Sequence, residues 1–191
     1  MKYQKILIVL LFSITSFTVA AQKEQVRGVY ISSDDFTREI ISFDNNCNRR
    51  KIKIKLNDFF LRPYISINLK DSSVRLYKKD IFGYINCRNQ VFRFNGKQEL
   101  LLLNAGEQIL IYKHIISKPP TGRTNVTNYY FSLGVSSPIV KLTIKNLKNA
   151  FPADISFHNL IDQYFKYNTD LAEFDEATKM YKINWLFGKT P

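Results

Sequence analysis

The chain has 191 residues, 45% of them hydrophobic, with seven glycines, six prolines and a formal net charge of +12. That apolar content excludes a disordered or fibrous polypeptide, and the length suffices for one domain burying about 70% of its unfolded surface. The charge is uneven: residues 22–150 carry 22 basic against 10 acidic side chains and residues 151–191 only 4 against 6, so the front part suits either an anionic partner or plain solubility.

Lys2 and Lys5 precede an apolar run from Ile6 to Phe12 that continues to Ala20, with Val19 and Ala21 as the small residues of a cleavage site. Residues 1–21 therefore read as a signal peptide cut before Gln22, giving an exported chain, periplasmic or extracellular. A membrane anchor needs about 20 mostly apolar residues, whereas Ser13, Thr15, Ser16 and Thr18 dilute this run, and no transmembrane segment is expected in residues 22–191. No cysteine adjoins the cleavage site, which disfavours a lipid anchor.

From residue 26 to 142 the apolar period is two, the period of strands. RGVYI is a strand, followed by SSDDFTRE as a turn capped by Ser33 or Asp34. In NRRKIKIKL, Ile52, Ile54 and Leu56 share one face while Lys51, Lys53 and Lys55 share the other. Ile65 and Ile67 repeat the alternation before the turn at Asp71-Ser72-Ser73, with Val74 and Leu76 on the return strand. IFGYIN and VFRF flank a turn at Arg88-Asn89, and Asn95-Gly96 signals a type I′ hairpin into ELLLL. Asn104-Ala105-Gly106 turns the chain into ILIYKHII, and TNYYFSL with PIVKL forms a last pair.

Near Thr143 the period becomes helical. Thr143 caps a helix using Ile144, Leu147 and Phe151, ended by Pro152; Asp154 opens a second with Phe157, Leu160, Ile161, Tyr164 and Phe165 on one face. A third, capped by Asn168 or Thr169, uses Leu171, Phe174 and Tyr181, and INWLF ends the apolar sequence. The expected fold is α+β: an antiparallel β meander, twisted or barrel-like, followed by two to three C-terminal helices within a single domain over residues 22–191.

Cys47 and Cys87 are the two cysteines, and in an oxidising compartment they are expected to pair; two buried free thiols are the alternative. Too few ligands accompany them for zinc. No P-loop, dinucleotide fingerprint, H-E-x-x-H motif or calcium loop occurs, so no cofactor or metal is expected. Gly134-Val135-Ser136-Ser137-Pro138 lacks the second glycine of a nucleophile elbow. Asp34, Asp35 and Glu39 could make a paired-carboxylate site, but the capped turn explains them as well.

His114 falls on a strand face. Asp154, His158, Asp162 and Lys166 form a polar stripe at intervals of four, from which a small hydrolase could draw His158 with Asp154 or Asp162. Arg49, Arg50, Lys51, Lys53 and Lys55 form a basic face that Lys78, Lys79, Arg88 and Arg93 could extend, suited to an anionic glycan or lipid head group; an envelope protein is another possible partner, and export disfavours nucleic acid. The bland reading is a solvated strand edge. Asn125-Val126-Thr127 is a glycosylation sequon.

The stretches RGVYISSDDF, KIKIKLNDFFLRPYISI, IFGYINCRNQVFRF, GEQILIYK, NYYFS, LKNAFPADISFHNLIDQYFK and YKINWLF resemble a group of uncharacterised small exported proteins of Bacteroidetes-type bacteria. The resemblance implies export and supplies no activity, cofactor or site residue. The residues themselves favour a non-catalytic binding or cell-envelope domain over an enzyme.

Overall fold

The computed structural model describes residues 25–47, 52–57, 62–116 and 126–190. The expected signal peptide, Arg49, Arg50, Lys51 and the stretch 117–125, including Asn125, lie outside the described residues. The architecture is α+β, with antiparallel strands throughout.

Strand β1 (Val26–Tyr30) is followed by the short helix α1 (Ser33–Thr37). Strands β2 (Lys53–Lys55), β3 (Tyr64–Asn68) and β4 (Ser73–Tyr77) form a three-stranded sheet of their own, inserted in the chain before β5 (Gly83–Asn86). The meander continues through β6 (Val91–Asn95), β7 (Gln98–Leu102), β8 (Ile109–Ile116), β9 (Val126–Leu133) and β10 (Val140–Lys141), and with β1 beside β5 these strands make a seven-stranded sheet.

Turn chemistry sets the connections, with two shifts from expectation. Asn95 pairs with Gln98 as part of the ladder, so the hairpin loop is Gly96-Lys97, and of these two only Gly96 takes a positive φ, at 61°. The cap of α1 is Ser32, one residue earlier than expected. Its hydroxyl accepts from the Asp35 N–H at 3.0 Å while the Asp35 carboxylate accepts from the Ser32 N–H at 3.0 Å, a reciprocal capping box.

The two faces of the large sheet are covered differently. On one face Val26, Val29, Tyr84 and Phe94 pack on Leu56, Ile65 and Ile67 of the three-stranded sheet and its connections. Further along, Ile109, Ile111 and Phe131 pack under the C-terminal helices. The opposite face holds Tyr30, Phe82, Ile85, Leu100, Leu110 and Tyr112, with Phe36 of α1 and the loop residues Val135 and Ile139 against it.

Helix α2 (Ile144–Ala150) begins at Thr143, whose hydroxyl accepts from the Asn146 N–H at 3.1 Å, and α3 (Ile155–Tyr164) begins at Asp154, whose carboxylate accepts from the Phe157 N–H at 2.8 Å. The expected third helix is broken into three pieces. A 3-10 segment, Asn168–Ala172, leads to a hairpin of β11 (Phe174–Asp175) and β12 (Met180–Tyr181), and α4 (Lys182–Phe187) follows. The reason is local competition: the Asp175 carboxylate accepts from the N–H groups of Ala177 and Thr178 at 2.8 and 3.1 Å, and Lys179 takes φ 57°, so a turn replaces the helix. Phe174 and Tyr181 thus face each other across a strand pair. Nor does Asn168 cap the 3-10 segment; its side chain accepts from the N–H of Ile144 and closes the start of α2.

Candidate functional site

Alternation in β2–β4 sends the aliphatic side chains Ile54, Ile65, Ile67, Val74 and Leu76 inward and leaves every second residue on the outside. Register then sets the outer residues in rows: Lys53, Asn68 and Ser73 in one, Lys55, Ser66 and Arg75 in the next, Tyr64 and Tyr77 in the third. Lys53, Lys55, Arg75 and Tyr77 are exposed. No carboxylate occurs in these three strands, and Lys53, Lys55 and Arg75 make no ion pair among the described residues.

The aromatic row is held by cations. Arg75 lies 5.1 Å from the Tyr64 ring centroid, and Arg62 lies 5.8 Å from the same ring while its Nη1 donates to the Tyr64 hydroxyl at 2.6 Å. Tyr77 meets Tyr64 edge to face at 6.4 Å. The result is a basic surface with tyrosines at one side and short hydrogen-bonding side chains between the cations. Its chemistry is attraction for spaced negative charge, together with ring faces that pack on apolar C–H groups.

Of the basic residues expected on one face, the structure brings Lys53 and Lys55 onto this surface. Lys78 instead turns inward: it is 1% exposed, its Nζ lies 2.7 Å from Glu99 Oε1 and 5.3 Å from the Phe94 ring centroid, and the other Glu99 oxygen accepts from the Tyr84 hydroxyl. A buried ammonium requires such a partner. Arg93 lies on the opposite face of the large sheet among Phe82, Tyr112 and Ser132. Arg75, Arg62 and the tyrosine row are the residues sequence reasoning did not assign to the surface. Arg75 alternates with Val74 and Leu76 and was legible; its place in one row with Ser66 and Lys55 depends on strand pairing.

The polar stripe on α3 fastens helices together. His158 Nε2 lies 3.1 Å from the Lys148 carbonyl oxygen and 2.9 Å from that of Phe151; both partners accept, so this nitrogen carries the proton and donates. Asp162 pairs with Lys148 at 2.5 Å, and Asp154 caps α3. Each of the three is engaged with the frame of α2 and α3. Asp34 pairs with Arg38 at 3.2 Å and Asp35 serves the capping box, so the acidic turn is likewise structural.

Cys47 and Cys87 form a disulfide, with their Cα atoms 5.8 Å apart, joining the segment after β1 to the turn between β5 and β6. Among the described residues no helix is long and apolar enough to cross a membrane. No family model, curated protein or solved structure matches the chain.

Proposed function

We propose that the protein is an exported, non-catalytic binding domain that lays the outer face of β2–β4 against an anionic glycan. The observation that carries the reading is the set Lys53, Lys55 and Arg75, without ion pairs among the described residues, in register beside Tyr64 and Tyr77. A lipid-inserting surface would present exposed aliphatic or tryptophan side chains, whereas the apolar residues of these strands other than tyrosine face inward. The engagement of His158 and Asp162 in joining α3 to α2 and of Asp154 in capping α3 supports a non-catalytic role, and the disulfide is compatible with an oxidising compartment.

The test is affinity electrophoresis and titration calorimetry with polygalacturonate, using dextran as the neutral control. Binding is expected to the acidic polymer alone, weakening as salt rises and falling at least tenfold in the Lys53→Gln/Lys55→Gln/Arg75→Gln variant. Equal binding to dextran, no effect of the triple variant, or preferential binding to phosphatidylglycerol vesicles or oligonucleotides overturns the reading.

A further inference from the structure

A cleft of about 430 Å³ opens on another part of the molecule, lined by the turn after β1, the 3-10 turn Lys78–Asp80, strand β6 and the loop between β9 and β10. Ser33 and Ser136 join across it, hydroxyl to hydroxyl, at 2.9 Å. Four charged residues line it: Lys78 is paired with Glu99, Lys79 and Asp80 are exposed neighbours in sequence, and Arg93 is half-buried. Arg93 makes no ion pair among the described residues.

Its guanidinium is held by neutral groups only. Nη1 donates to the Tyr112 hydroxyl at 2.9 Å and to Ser132 Oγ at 3.3 Å, Nη2 donates to the Ser137 carbonyl at 2.9 Å, and Cζ lies 5.2 Å from the Phe82 ring centroid. Ser132 spends its own proton on the Gly134 carbonyl at 2.8 Å, so the Tyr112 hydroxyl donates to Ser132 and both oxygens act as acceptors toward Arg93. A guanidinium has five N–H groups. Three are used among the described residues, which leaves one on Nε and one on Nη2, adjacent nitrogens whose spacing matches the two oxygens of a carboxylate.

We infer that this cleft is a second binding site, independent of the basic sheet face, taking the carboxylate of a small organic acid on the Nε–Nη2 edge of Arg93, with the serine hydroxyls of its wall as further polar partners. Clamping by Phe82, Tyr112 and Ser137 fixes the guanidinium before the ligand arrives, which lowers the ordering cost of binding.

The experiment follows the Arg93 Nε–H resonance in the intact protein while sodium galacturonate, sodium succinate or galactose is added. A saturable shift with either acid and none with galactose is expected, and the acid that saturates at lower concentration identifies a sugar acid or an aliphatic diacid as the preferred class. Arg93→Gln should weaken the acid at least tenfold while retaining polygalacturonate binding through the sheet face, and Lys53→Gln/Lys55→Gln/Arg75→Gln should do the reverse. An unmoved Nε–H resonance up to 50 mM acid (roughly the weakest affinity of interest), or a shift equal for galactose, overturns the inference. The resonance belongs to the wild-type chain, so it decides between these outcomes even if Arg93→Gln fails to fold.

Discussion

Asn184 of α4 sets its carboxamide against both main-chain groups of Ile109, accepting from the N–H at 2.8 Å and donating to the carbonyl at 2.9 Å. Strand β7 ends at Leu102, so the start of β8 would present an unpaired edge inside the protein, its other edge being taken by β9; Asn104 completes it, its carboxamide bonding Ile109 O at 2.8 Å and Ile111 N at 2.6 Å, together with Asn184. Two side chains thus stand where a neighbouring strand would.

Replacing Asn184 by Leu keeps the volume and removes the hydrogen bonds. The Ile109 N–H is then buried without a partner, while its carbonyl keeps Asn104. A loss of about 2–3 kcal/mol is expected, read as a lower urea midpoint with an unchanged slope. Asn184→Asp should cost at least as much, because a carboxylate cannot donate to the carbonyl. Wild-type stability in both variants would show that the pairing contributes nothing.

The disulfide closes a sequence separation of 40 residues. In the chain-entropy account a loop of this length contributes about 2–4 kcal/mol. Thermal unfolding should shift down by several degrees on adding reductant, and the Cys47→Ser/Cys87→Ser variant should melt at the lower temperature with or without it. A melting temperature indifferent to reductant in the wild type would contradict a bonded pair.

His158 joins α3 to the end of α2 through two carbonyls. His158→Ala should therefore lower stability by about 1–2 kcal/mol and leave polygalacturonate affinity unchanged. Loss of affinity with stability retained would move this residue from frame to function.

Burial depresses the pKa of His114 below its ordinary value of 6.5, and its Nδ1 is enclosed without a hydrogen-bond partner among the described residues. Between the folded and unfolded pKa values the unfolded chain binds more protons. The contribution of this group is consequently intact above pH 6.5 and disappears as pH falls through the folded value. The unfolding midpoint should drop between pH 7 and 5, and His114→Gln should reduce that drop. Equal pH slopes for the two proteins would remove His114 as its source.

Much of this fold is written in local spacing. Alternation around Ile54 and Lys55 determined a strand wet on one face, and Thr143 and Asp154 determined two helix starts, because burial period and capping are properties of a few consecutive residues. Only the tertiary structure decided that Lys78 lies inside with Glu99, that Arg75 shares a row with Lys55 across Ser66, and that His158 fastens two helices. The apolar spacing of Leu171, Phe174 and Tyr181 fitted a helix, yet Asp175 turned the chain into a hairpin. Spacing orients a side chain relative to its own strand or helix; the partner that neutralises its charge or fills its hydrogen bonds comes from residues far along the chain, and only packing brings them within reach.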